Sequence, residues 1–159
     1  TFFLIIALTN FSLTIKNTRM KNNLLKKLLL LLTLFISTAK AQWTPLNSGT
    51  FNDLYSVYFT NSYTGWAVGS AGTIIKTTDG GINWIPQSSG TLEGLRSVYF
   101  LNPDTGFITG ASGVLLTTVN GGATWTTYPT GTFNHLLSVY FYNNTTGYIV
   151  GDINTIFKS

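Results

Sequence analysis

There is no cysteine among the 159 residues. Disulfides, thiol catalysis and cysteine-ligated metal are therefore excluded, and an exported domain of this sequence has to be held together by its core. Histidine is nearly as scarce. His135 is the only one and is read as a solvated loop residue, because a metal site needs several convergent ligands. Charged residues make up only 9% of the chain, and their distribution matters more than their sum. Lys16, Arg19, Lys21, Lys26, Lys27 and Lys40 all precede residue 42. After it stand three bases (Lys76, Arg96, Lys158) and five acids (Asp53, Asp79, Glu93, Asp104, Asp152), a net charge of −2. The formal +4 of the whole chain therefore belongs to its first 41 residues. No basic stripe is left to neutralise phosphates, so nucleic acid is not expected as a partner. No phosphate-binding Gly-rich loop precedes a helix, and no helical pattern occurs after residue 42.

The leading segment reads as targeting sequence. From Met20, the lysines at 21, 26 and 27 form a basic region, Leu28 to Ile36 an apolar one, and Ala39-Lys40-Ala41 a small-x-small cleavage site. Nine apolar positions are too few for a bilayer span of about 20 residues, although a membrane anchor is the alternative. Residues 20–41 are thus expected to be a signal peptide, the membrane enters only through them, and the mature chain is expected to be exported from Gln42. Residues 1–19 are expected to be translated upstream sequence.

What is abundant is repetition. Trp43, Trp84 and Trp125 stand 41 residues apart, as do three copies of Ser-Val-Tyr-Phe at 56–59, 97–100 and 138–141. Thr64-Gly65 and Gly49-Thr50 recur in the same step. A period near 40 built from short β-type runs predicts an all-β fold, a β-propeller with four-stranded antiparallel blades of 41 residues. In the first repeat, strands are predicted over 54–59, 65–69, 73–78 and 83–87, with tight turns at 70–72 and 79–81. Pro86 lacks a ladder donor and marks an edge. The single domain, 42–159, then holds blades at about 54–87, 95–128 and 136–159, roughly 2.75 blades. Closed rings need about four to eight, so the chain is expected to be part of a longer protein.

Thr77-Thr78-Asp79-Gly80-Gly81-Ile82-Asn83-Trp84 and Thr118-Val119-Asn120-Gly121-Gly122-Ala123-Thr124-Trp125 resemble the Asp-box (BNR) pattern Ser/Thr-x-Asp-x-Gly-x-Thr/Asn-Trp of sialidases and many non-enzymatic propellers. Thr77, Asp79, Gly81, Asn83 and Trp84, with Thr118, Asn120, Gly122, Thr124 and Trp125, are assigned structural roles. An Asp or Asn side chain accepts hydrogen bonds within its own turn, and a position occupied by both needs no charge. The stretches Gly49–Phe59, Thr64–Gly69 and Gly72–Trp84 together resemble the propeller of photosystem II stability and assembly factors. That resemblance, over residues 43–159, implies a scaffold that binds partner proteins through an arginine-rich patch. Arg96 is the only arginine after residue 42, so no binding residue carries across.

A sialidase would need three arginines, a Tyr–Glu pair and an acidic Asp, and only Arg96 and Glu93 are available. These two are read as a solvated pair in one loop. Two carboxylates for glycoside hydrolysis would have to come from Asp53, Glu93, Asp104 or Asp152, all turn acids. Tyr58, Tyr99 and Tyr140, one repeat apart, are either a stacking row for sugar or peptide or repeating core packing, and packing is favoured. No catalytic, cofactor or metal site is expected. The reading is an exported, non-enzymatic, protein-binding propeller. The alternative is a carbohydrate-binding or sialidase-like glycoside hydrolase propeller with its catalytic residues in further blades.

Overall fold

A computed structural model describes residues 42–159. The expected upstream segment and signal peptide, residues 1–41, lie outside the described residues. The compact unit Pro45–Ser159 is built from three sheets in chain order. The first contains β1 (Leu54–Phe59), β2 (Gly65–Gly69), β3 (Ile74–Thr77) and β4 (Ile85–Gln87). The second contains β5 (Leu95–Phe100), β6 (Gly106–Gly110), β7 (Leu115–Thr118) and β8 (Thr126–Thr127). The third contains β9 (Leu136–Phe141), β10 (Gly147–Gly151) and β11 (Ile156–Lys158). Every pairing is antiparallel, and strand order within each sheet follows the sequence. Among the described residues the only helical pieces are single 3-10 turns at Ser70–Gly72 and Ala111–Gly113.

The fourth strand of the first sheet starts two residues later than the predicted 83. Asn83 is still part of the preceding turn, because its N–H is held by the Asp79 carboxylate at 2.9 Å. Pro86 does occupy the outermost strand, pairing only with Ile75 of β3.

The core lies between sheets. Trp66, Val68 and Ile74 of the first sheet pack against Leu95, Val98, Phe100, Ile108 and Leu116 of the second, all of them buried. Trp66 stacks on Phe100 with ring centres 3.8 Å apart. The first strands of successive sheets are also tied by polar contacts. Ser56 Oγ accepts from the Val98 N–H (3.2 Å), and Ser97 Oγ accepts from the Val139 N–H (3.3 Å). This contact gives the serines of the first two Ser-Val-Tyr-Phe copies a partner in the next sheet, on the backbone of the buried valines Val98 and Val139. Thr109, fully buried, stands where the neighbouring repeats carry Val68 and Val150, and its hydroxyl has no partner.

Candidate functional site

The sequence singled out the turn between β3 and β4, and its side chains converge on one carboxylate. Asp79 Oδ1 accepts from the Thr77 hydroxyl (2.8 Å) and the Asn83 N–H (2.9 Å), while Oδ2 accepts from the Asn83 amide (2.8 Å). The Thr77 hydroxyl oxygen accepts in turn from the Gly81 N–H at 2.9 Å. Gly80 and Gly81 both have positive φ, which glycine adopts without a Cβ clash. The second turn repeats the geometry with the polarity of one bond reversed. Asn120 Oδ1 accepts from the Thr118 hydroxyl (2.9 Å) and the Thr124 N–H (3.0 Å), but Asn120 Nδ2 donates to Thr124 Oγ1 (2.8 Å). An acid is paired with an amide donor in one turn, and an amide with a hydroxyl acceptor in the other. Trp84 meets Phe59 edge-on at 6.0 Å and Trp125 meets Phe100 edge-on at 5.9 Å, so each tryptophan rests on the first strand of its own sheet.

The Asp79 carboxyl is held below its ordinary 3.8, first by the Asn83 backbone N–H, then by the Asn83 amide and the Thr77 hydroxyl, with a smaller opposing effect of desolvation. A depressed folded value means that the stability these bonds supply is present above pH 3.8 and is lost as pH falls through the folded value. We therefore expect Asp79→Asn to be mild at neutral pH and Asp79→Ala to be clearly worse. The gap between wild type and Asp79→Asn should close or invert on acidification below 3.8. Thermal unfolding across pH checks this. Parallel pH curves for the two proteins would show that the carboxylate bonds contribute nothing.

The remaining acids do not gather. Asp53, Glu93 and Asp152 stand at the ends of the sheets where β1, β5 and β9 begin, and Asp79 and Asp104 at the opposite ends. A six-residue strand separates those ends by about 20 Å. Among the described residues no group of three His, Cys, Asp or Glu side chains is placed to hold a metal. His135 Nδ1 accepts from the Ser112 N–H at 3.1 Å, joining the second sheet's 3-10 turn to the loop before β9. Tyr58 and Tyr99 pack between successive sheets, each ring against the tyrosine one repeat on with centres 5.1 and 5.8 Å apart, while Tyr140 is itself exposed; Tyr99 donates to the Phe141 carbonyl. Burial, then the neighbouring Tyr99, raises the Tyr58 phenol above its ordinary 10.0.

One feature escaped the reading of the sequence. Each first strand carries a bulge: Leu54 and Ser56 pair with consecutive residues Gly69 and Val68, so Tyr55 is extra, and the same holds for Arg96 and Leu137. A bulge re-aims the side chain of its extra residue. All three are exposed, and the Arg96 guanidinium lies 4.6 Å over the Tyr55 ring. Arg96 therefore sits on a strand and stacks on an aromatic ring, rather than pairing with Glu93 in a loop. The only hint in the sequence is that Tyr, Arg and Leu vary immediately before the constant Ser-Val-Tyr-Phe.

Successive four-stranded antiparallel sheets, joined through their first strands and turned by a 41-residue unit, define this protein as a β-propeller. Comparison with known proteins narrows the class. The family described as Photosynthesis system II assembly factor YCF48 matches residues 36–132, more than half of the chain, and the chain belongs to that family. Among solved structures, YCF48 bound to D1 peptide is similar at 22% identity and a TM-score of 0.65, over 74% of this chain and 41% of that one. YCF48 from Cyanidioschyzon merolae gives 22% and 0.64, over 74% and 40%. An ancestral GH74 enzyme gives 19% and 0.57, over 68% and 17%. Likenesses at these identities show the fold. This chain spans about two-fifths of the length of the YCF48 structures (41% and 40%). No curated protein matches it.

Proposed function

We propose that this chain is a non-enzymatic protein-binding module of the assembly-factor type, exported before it acts, and that it takes hold of a peptide segment of its partner at the bulge row Tyr55, Arg96 and Leu137. Membership of the YCF48 family over residues 36–132 carries this reading. A solved YCF48 is described as bound to D1 peptide, which makes a peptide the natural class of ligand. The bulge row varies its exposed side chains from repeat to repeat, and it holds the only arginine after residue 42. Arginine above an aromatic ring is a common recognition pair, offering a flat cation and an apolar surface together. Asp79 supports the same reading, since its carboxylate is engaged by its own turn.

A fluorescent D1 peptide titrated into the chain tests the proposal. Saturable anisotropy is expected, weaker in Arg96→Ala and absent for a scrambled peptide. Equal response to both peptides would remove the peptide-binding reading. The second reading is a carbohydrate-binding or sialidase-like glycoside hydrolase propeller, and release of reducing sugar from a glycoside substrate would establish that instead. Export is checked separately, by sequencing the N-terminus of the product made from Met20, with Gln42 as the expected first residue.

A further inference from the structure

Asn120-Gly121 is the only Asn-Gly pair in the sequence. It lies inside the chain, in the turn between β7 and β8 of the second sheet. The amide of an asparagine that precedes glycine is open to attack by the glycine's backbone nitrogen, because no Cβ crowds the approach. Asn120 is exposed, so water reaches its side chain. Three other exposed asparagines, Asn61, Asn102 and Asn143, also accept turn N–H bonds on Oδ1, but they precede Ser, Pro and Asn.

The turn acts on the carbon that would be attacked. Asn120 Oδ1 accepts from the Thr118 hydroxyl (2.9 Å) and the Thr124 N–H (3.0 Å). Donors on a carbonyl oxygen stabilise the negative charge that gathers there when a nucleophile adds to its carbon. Lys76 adds a cation. Its Nζ donates to the Gly121 carbonyl and would lie 3.7 Å from a Cβ on Gly121, with the opposing Asp104 carboxylate at 4.0 Å. The Gly121 N–H donates to the Asp104 carbonyl (2.9 Å) and has to leave it before the nitrogen can react, so the closed turn reacts slowly.

We propose that Asn120 is a site of self-modification, at which the backbone of Gly121 converts the asparagine to aspartate through a cyclic imide. The deprotonated Gly121 nitrogen forms a bond to Asn120 Cγ and the Cγ–Nδ2 bond breaks. The side-chain nitrogen leaves as ammonia, carrying the proton that the backbone nitrogen gave up. Water then opens the imide. Addition at Cγ breaks the new Cγ–N bond, restores the peptide link and leaves aspartate. Addition at the main-chain carbonyl carbon leaves isoaspartate, with an extra methylene in the backbone. The Thr118 and Thr124 donors polarise Cγ in both steps, so the turn directs water to Cγ. The product also fits. Asp79 stands at this position one repeat earlier, with its carboxylate held by Thr77 and Asn83. The Thr124 hydroxyl, which accepts from Asn120 Nδ2 (2.8 Å), can donate to a carboxylate instead, so every side-chain bond survives and that one becomes charge-assisted. Isoaspartate would pull the Gly122 N–H away from Thr118 Oγ1, to which it donates at 3.0 Å. Conversion adds one negative charge and gives the second turn the chemistry of the first, whatever the bulge row binds.

The test needs no variant for its main reading. The full chain is held folded at mildly alkaline pH for weeks, and its proteolytic peptides are compared by mass with those at the start. Amide-to-acid conversion is expected at residue 120 several-fold above that at Asn61, Asn102 and Asn143. The converted peptide should coelute with the one from Asn120→Asp, which carries ordinary aspartate. At neutral pH Asn120→Asp should unfold at the temperature of the unmodified chain or above it. Conversion at residue 120 no faster than at the other three, a product that is chiefly isoaspartate, or a lower unfolding temperature for Asn120→Asp overturns the proposal.

Discussion

Trp66→Ala is expected to cost about 3–5 kcal/mol of folding stability, the range for removing a large buried aromatic side chain. Trp66 is fully buried and joins the first sheet to the second. One face of its ring stacks on Phe100 at 3.8 Å, and the Lys76 ammonium lies 5.0 Å from its centre. Removing the ring opens a cavity between two sheets whose strands are fixed by their own ladders, so the site has little freedom to collapse. Trp66→Phe should be much milder. The next repeat carries Phe107 at this position, and the indole N–H has no hydrogen-bond partner to lose. Trp84→Ala should also cost less than Trp66→Ala. The Trp84 ring is half-buried and meets Phe59 only edge-on. Urea unfolding of the three variants gives the order directly, provided the slope with denaturant is unchanged. If Trp84→Ala proved the costlier, the stability of the unit would lie in its turns and not between its sheets.

The repeat made the fold legible because the signals that specify a blade are local. Gly-Gly after Asp79 and Asn120, Thr-Gly before each second strand and alternating apolar positions name the turns and strands without any knowledge of what they pack against. The Asp79 turn was legible for the same reason, since all its partners lie within four residues. Relations between blades were less so. Ser56 and Val98 are 42 residues apart, and nothing in the recurring serine announces that it caps an amide of the next sheet. The bulge at Tyr55, Arg96 and Leu137 is a matter of register, which composition and periodicity do not carry. Asn52 and Asn134 donate to Thr73 and Thr155, and the middle repeat replaces both partners together, with Glu93 and Val114. The paired change makes sense only once the loop before each first strand is seen to lie against the turn after the second.

The turn after the second strand carries the last prediction: Gly72→Ala and Gly113→Ala should each cost about 2–6 kcal/mol, a left-handed backbone penalty of about 1–3 kcal/mol plus about 1–3 kcal/mol for displacing a neighbouring stretch of backbone. Gly72 has φ of +67° and Gly113 +73°. A Cβ on Gly72 would fall 1.9 Å from the Thr91 carbonyl oxygen, and one on Gly113 at the same distance from that of Thr132. The obstacle is backbone, and it belongs to the segment that leads from one sheet into the next. The Gly72 N–H donates to the Glu93 carbonyl (2.9 Å), and Thr130 Oγ1 donates to the Gly113 carbonyl (2.8 Å). Any shift that relieves the clash therefore strains the link between sheets. In the third repeat Asn154 stands where Gly72 and Gly113 do, and Ile153 where Ala71 and Ser112 do, also at positive φ. Its turn has Ile153 at φ 48° and Asn154 at φ 57°, both left-handed and neither glycine. A β-branched residue is a poor occupant of that region, and Ile153 is 79% exposed, so little packing holds it there. Ile153→Asn should stabilise the chain by about 1 kcal/mol, because asparagine enters the left-handed region more readily. Thermal unfolding of Gly72→Ala, Gly113→Ala and Ile153→Asn decides it. A cost below about 1 kcal/mol at Gly72 would mean that the connecting segment yields freely and does not hold the sheets in place.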